Sequence, residues 1–313
     1  MSHNSKIILR YSQYKSILDT YLSLPEFQEK ATETMRSKRV TITSLCNYLG
    51  DSGVTSFTEC RPQNVTGFLD SISGMSSSTK SGKLFILRHF FNYLYDENYI
   101  FFSGNELFPV IVSNKRDRIL SFYSESEIKK IISCVSNHTA KGKRDLLIVL
   151  FAAELGIRSG DICRLKISDI HWERNTIEFI QFKTGVFNQL PLLENIKFAL
   201  IDYPKNARPA CESDLLFVGI KNNYQMISAS QMHSVVSKYF TIAGIDISKR
   251  KHGPHALRHS LASNLLMNNT PMHVIKDVLG PFNSKTFFLT QLMLKVKFLF
   301  SLKITTYKGF FVQ

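Results

Sequence analysis

From about residue 8 to residue 100 apolar side chains recur at helical spacing, and across residues 103–122 that spacing stops. The interrupting stretch, SGNELFPVIVSNKRDRILSF, carries Gly104, Pro109 and the charge cluster Lys115-Arg116-Asp117-Arg118. Glycine and proline break a helix, and clustered charge does not pack into a core, so residues 103–122 read as a linker. With 313 residues the chain is long enough for a domain on each side of it.

The first domain, residues 8–102, reads as helical throughout. Val40, Ile42, Leu45 and Leu49 fall at mixed helical spacing within residues 37–49. Ser76 to Thr79 offer N-caps, and Leu84, Leu87, Phe90, Phe91, Leu94 and Tyr95 then form a 3–4 stripe, which is a core face. The second domain, residues 123–280, opens at Ser124, with Glu127 three residues later as a capping box. Helices are expected at 124–136, 143–155, 194–202, 228–243 and 255–268, with a short one at 160–164. Thr176 to Phe182 and Val186 to Leu192 read as the strands of a hairpin turning at Lys183-Thr184-Gly185. The fold class is therefore mainly α with a small antiparallel β element. Residues 281–313 form a tail of different character.

Charge narrows the partners. Thirty-nine Lys and Arg against 25 Asp and Glu leave a formal charge of +14, which favours a polyanion such as nucleic acid or an acidic membrane surface. No apolar run reaches the roughly 20 residues that span a bilayer, and the N-terminus lacks the pattern of a signal peptide. Five scattered cysteines without a CxxC pair point to reduced thiols in a cytoplasm and to no zinc site. Neither GxxxxGK[ST] nor GxGxxG occurs, so no nucleotide cofactor is expected. Lys80, Lys83, Arg88 and His89 lie between the apolar positions of the first domain's stripe, where they suit either contacts to nucleic acid or a solvated surface.

Two segments carry chemistry. In AAELGIRSGDICRLKISDI, Gly156 ends a helix and Arg158 follows just beyond it, with Asp161 three residues on to orient the guanidinium. In GPHALRHSLASNLL, Gly253 and Pro254 set a helix start, so His255 and Arg258, at i and i+3, fall in the first turns and on one face. Leu257, Leu261 and Leu265 occupy the inward face. A helix N-terminus already favours an anion, and two arginines with a histidine suit a phosphate.

These segments resemble the tyrosine recombinases of the phage integrase family. GIRSGDI matches the form G-[LI]-R-x-[SG]-[ED]-[LI], and His255-Ala256-Leu257-Arg258-His259 matches HxLRH. QFKTG puts Lys183 where the family has its catalytic lysine, and HVIKDVLG resembles the helix that ends in Leu-Gly. The likeness covers roughly residues 10 to 280. It implies a helical core-binding domain that clamps double-stranded DNA and an α+β catalytic domain. It also implies a tyrosine that attacks a DNA phosphodiester, forms a 3′-phosphotyrosyl link and releases a 5′-hydroxyl, with no metal or cofactor. On that reading Arg158 and Arg258 supply donors to the non-bridging oxygens, Lys183 is the general acid, and His255 assists proton transfer. Lys80, Lys83, Arg88 and His259 become DNA contacts, and the working assembly a homo-oligomer, a tetrameric synapse.

The pattern fails after Gly280. Pro281 stands where the family has His, and the nucleophile's expected place falls near Thr290, whereas no tyrosine occurs between Tyr239 and Tyr307. Tyr307 is the candidate that remains, with a tyrosine supplied by another protomer as a second route. The alternative function is a catalytically dead DNA-binding remnant. A nicking activity like that of type IB topoisomerases is a further reading, though those enzymes do not usually carry this short N-terminal clamp. Residues 281–313 hold five Lys, no Asp or Glu and seven of the chain's 24 Phe. Their apolar residues do not segregate to one face, which argues against an interfacial membrane helix. A reading frame shifted near codon 281 accounts for both absences, because a one-base shift there can turn Pro281 into His. Sequencing the gene across codons 275–295 is expected to show a second frame that restores His and Tyr. If no frame does so, the shift is excluded.

Overall fold

The computed structural model describes residues 7–28, 31–108, 122–219 and 224–280. The chain divides into two compact units, Met1–Asp117 and Arg118–Gln313.

In the first unit α1 (Lys15–Leu22), α2 (Thr32–Asp51), α3 (Pro62–Ser71) and α4 (Ser77–Asp96) surround one core. The Ser76 hydroxyl caps α4 by accepting the Thr79 N–H, as its sequence leads one to expect. Leu84, Leu87, Phe90, Phe91 and Leu94 are buried, so their stripe is a core face. Tyr95 in the last turn is 46% exposed, and the stripe therefore ends at Leu94. Edge-to-face contacts of Phe90 with Tyr21, Phe57 and Phe91 fix the ring positions at the centre.

The expected linker begins differently. Residues 104–107 form a short helix, α5 (Gly104–Leu107), capped by the Ser103 hydroxyl with Glu106 completing the box. Phe108 after it is buried against Phe91, and its carbonyl accepts the Arg88 guanidinium. Residues 103–108 thus complete the first unit's core, while residues 109–121 lie outside the described residues.

The second unit is built round α7 (Ala140–Ala153). Its run LLIVLFAA is apolar on all sides, which suits a helix with neighbours all round. Leu147 through Ala153 are at most 3% exposed. Around α7 pack α6 (Glu125–Ser133), α9 (Glu194–Asn206), α10 (Ala229–Ile242) and α11 (Pro254–Met267). The capping box at Ser124 and Glu127 forms as expected. Helix α9 continues past the expected end at 202, because Pro204 lies near its C-terminus and withdraws one amide only. Between α7 and α9 the chain makes α8 (Ser159–Ile162) and a three-stranded antiparallel sheet of β1 (Ile170–His171), β2 (Thr176–Ile180) and β3 (Phe187–Pro191), in that order. Strand β1 is too short to leave a periodic signal in the sequence. The hairpin pairs Ile177 with Leu190 and Phe179 with Asn188, which turns these four side chains into the core. After α11 comes α12 (Met272–Leu279), which packs on it through Ile275 and Leu279. Among the described residues no helix is long and apolar enough to cross a membrane.

The architecture is mainly helical with one small antiparallel sheet.

Candidate phosphate site in the second unit

Four segments of the second unit converge: the loop from α7 to α8, the hairpin turn, the start of α11 and the end of α12. Arg158 stands at the N-cap of α8 in extended backbone, half-buried, between the buried Ile157 and Ile162. Two residues earlier Gly156 has φ of +60°, and a Cβ there would lie 2.6 Å from Leu279 Cδ2. Glycine is thus required twice over, by backbone conformation and by the close approach of α12.

The start of α11 is held by contacts that its sequence does not advertise. Tyr123 donates its N–H to the Ser260 hydroxyl (2.8 Å) and its hydroxyl to the Lys251 carbonyl (2.9 Å). Arg250 lies over the Tyr123 ring and pairs with Glu127 at 2.7 Å. Gly253 and Pro254 then open the helix as expected.

Arg258 is 3% exposed. It donates from Nη1 to the carbonyl of Gly156 and from Nη2 to that of Leu279, so one cation binds the α7–α8 loop and the end of α12 together. Burial, then the positive field of Arg158, push it down to about 9, with Asp161 acting in the opposite sense. At neutral pH the group stays charged.

His255, one turn earlier, reaches the surface instead of sharing Arg258's burial. Its Nε2 lies 3.1 Å from Nε2 of His259, so one ring donates and the other accepts. Packing lowers the His255 pKa, and the fields of Arg258, Lys251, Arg158 and Lys183 lower it further. These effects favour the neutral imidazole. Arg158, Lys183 and Arg258 are all near enough to His255 to lower its pKa. Lys183 itself is exposed on the β2–β3 turn.

The pairing of Arg158 differs from expectation. The acceptor found for its Nη1 is Gln181 Oε1 at 2.5 Å. The carboxylate of Asp161 instead accepts the Phe182 N–H at 2.8 Å, and Phe182 thereby leaves the hairpin ladder, which ends at Ile180. Burial raises the Asp161 pKa, against the lowering effects of that N–H and of Arg158, Arg258 and Arg164. Gln181, just past a strand rich in Ile and Phe, is 1% exposed. An amide at such a place is a signal in the sequence, and the family pattern, which centres on Lys183, does not single it out.

The other expected contacts have varied surroundings. His259 sits half-buried against His255. In the first unit Lys80 donates to the Ser73 carbonyl at 3.1 Å, and burial lowers the Lys83 pKa. Arg88 donates from Nε and Nη2 to the Phe108 carbonyl at 3.2 and 2.7 Å. Its half-buried side chain thus ties the end of α5 to α4. Tyr307, Pro281 and the rest of the tail lie outside the described residues. Among the described residues no group of three His, Cys, Asp or Glu is placed to hold a metal ion.

The histidine pair gives a pH test. Burial first, then His255, Arg258 and Lys251, push His259 down to about 4. Its unfolded value is about 6.5, so between those limits the unfolded chain binds more protons. This contribution to stability is complete above about pH 6.5 and is lost as pH falls towards about 4. The unfolding free energy of His259→Gln relative to the parent, followed by urea denaturation, should change by roughly 1–3 kcal/mol across that window. A difference that stays constant with pH contradicts the placement of His259.

Residues 121–287, more than half of the chain, match the phage integrase family. The chain is 30% identical to tyrosine recombinase XerC of Thermodesulfovibrio yellowstonii over 227 residues, 70% of this chain and 73% of that protein. It is 33% identical to putative integrase/recombinase y4gC of Sinorhizobium fredii over 150 residues, 48% of this chain and 77% of that protein. Its fold is similar to XerH site-specific recombinase in a post-cleavage complex with palindromic difH substrate, with a TM-score of 0.71 and 18% identity over 92% of this chain and 84% of that one. A lambda integrase dimer bound to a COC′ core site gives a TM-score of 0.64 and 18% identity over 88% and 94% of the two chains. Matched over most of its second unit and across 73% of a curated tyrosine recombinase, the chain belongs to the phage integrase family.

Proposed function

We propose that the protein is a site-specific DNA recombinase whose second unit grips one DNA phosphodiester. The observation that carries this reading is that buried Arg258 binds the loop before Arg158 through the Gly156 carbonyl, while Arg158 meets Gln181 at the root of the turn that carries Lys183. Family membership and the likeness to DNA-bound XerH and lambda integrase support it.

In the reaction a tyrosine Oη attacks phosphorus, the bond to the 5′-oxygen breaks, and charge builds on the non-bridging oxygens. Arg158 and Arg258 stabilise that charge, and Lys183 on its exposed turn protonates the leaving 5′-oxygen. His255, whose surroundings favour the neutral form, is able to take the nucleophile's proton. Loss of either arginine should cost about 3 kcal/mol of transition-state stabilisation, the scale of one oxyanion donor. The bond energy is retained in the phosphotyrosyl link, so the scheme uses neither ATP nor metal. Tyr307, or a tyrosine of another protomer, is the proposed nucleophile.

The first unit then serves as the DNA clamp, the cytoplasm is the site of action, and a tetramer of this chain is the synapse. A second reading, a DNA-binding remnant without catalysis, is favoured by the absence of tyrosine between Tyr239 and Tyr307.

A suicide duplex that traps the covalent intermediate separates the two. The recombinase reading predicts a protein–DNA adduct that Tyr307→Phe abolishes if Tyr307 is the nucleophile. DNA binding with no adduct supports the remnant. Either reading requires affinity for duplex DNA to fall steeply with salt, because each phosphate neutralised releases counterions. A flat response between about 50 and 200 mM salt would sink both.

A further inference from the structure

Gln181 is a buried polar residue that the proposed chemistry does not use. It follows Ile180 at the end of β2, where the neighbouring Phe182 is exposed, yet it is 1% exposed itself. Its Oε1 accepts two donors, Nη1 of Arg158 at 2.5 Å and the Thr184 hydroxyl at 3.0 Å. Its main chain closes the turn, with its N–H donated to the Val186 carbonyl and its carbonyl accepting from Gly185 at 2.8 Å. The amide also lies so close to Gly280 that a Cβ there would collide with Nε2. One side chain therefore meets the loop of Arg158, the turn of Lys183 and the end of α12.

We propose that Gln181 is a positioning residue: its side-chain carbonyl aims the Arg158 guanidinium and ties it to the turn that carries Lys183. The inference rests on the reading that Arg158 grips a phosphate. Chemistry explains why an amide suits the place. An amide oxygen accepts from both a guanidinium and a hydroxyl, which fixes the amide orientation, since its NH₂ facing a guanidinium would oppose two donors. It does so without adding negative charge. A carboxylate at the same place would draw on the positive field that Arg158, Arg258 and Lys183 direct at an oxyanion, beside the Asp161 carboxylate already present.

The test uses the full chain and inorganic sulfate, a tetrahedral dianion whose charge is constant between about pH 5 and 8. Sulfate binding is followed by the side-chain Nε–Hε signals of ¹⁵N-arginine-labelled protein, with Arg158→Lys identifying the Arg158 signal. Gln181→Met keeps the length and removes the acceptor, and is expected to weaken sulfate about tenfold, the scale of one charged hydrogen bond. It should also collapse the separate Arg158 signal. In Gln181→Glu the affinity relative to the parent should be lowest near pH 8 and recover as the carboxyl is protonated. That recovery reports the field of the carboxylate; a merely structural role for Gln181 leaves both the sulfate affinity and the Arg158 signal of folded Gln181→Met as in the parent.

If Arg158→Lys loses sulfate while both Gln181 variants bind as the parent does, the positioning role is overturned and the phosphate reading stands. If Arg158→Lys binds sulfate as the parent does, the phosphate reading itself fails and the inference goes with it. Should Gln181→Met not fold, Gln181→Asn, which keeps the amide and draws it back by one methylene, takes its place, and a parent-like sulfate affinity with an unchanged Arg158 signal overturns the proposal.

Discussion

A buried guanidinium is the joint on which the second unit's site depends. Arg258 donates to the carbonyls of Gly156 and Leu279, which are 102 and 21 residues away in sequence. A cation taken out of water is costly unless its donors are met, and here backbone carbonyls meet them without neutralising it. The close approach of Leu279 to Gly156 follows from the same joint, and so does the need for a glycine there. The positive charge thereby stays available as a field, which lowers the pKa of His255.

Such a concentration of cations is self-repelling and needs an independent frame. The apolar α7, surrounded by α6, α9, α10 and α11, provides it. The site lies where α7 ends and α11 begins, so that packing far from the charges holds them together. Neutral groups then refine the geometry: Gln181 against Arg158, and the His255–His259 pair at the helix start. An oxyanion entering there relieves the repulsion, which is the electrostatic preorganisation that phosphoryl chemistry exploits.

Much of this was legible in the residues themselves. The helical stripe from Leu84 to Leu94, the capping box at Ser124 and the hairpin round Lys183 all follow from periodicity and turn chemistry. The two boxes containing Arg158 and Arg258 pointed to one site, although 100 residues separate them. What escaped were interactions set by tertiary contact. Arg88 reads as a surface cation because its partner is the Phe108 carbonyl, twenty residues away in a stretch that resembles a linker. Asp161 reads as the partner of Arg158 because spacing cannot show that Phe182 turns its N–H away from the hairpin towards that carboxylate. Tyr95 continues the stripe by spacing but lies in a last turn that is half exposed.

The central claim is that Arg158 and Arg258 serve one tetrahedral anion. Its most direct test is a crystal structure of the full chain with tungstate, whose heavy atom is located by anomalous scattering. One tungstate contacted by both guanidinium groups, and absent from Arg158→Ala, is the result expected. Separate anions on the two arginines, or an empty site at saturating tungstate, would contradict the account.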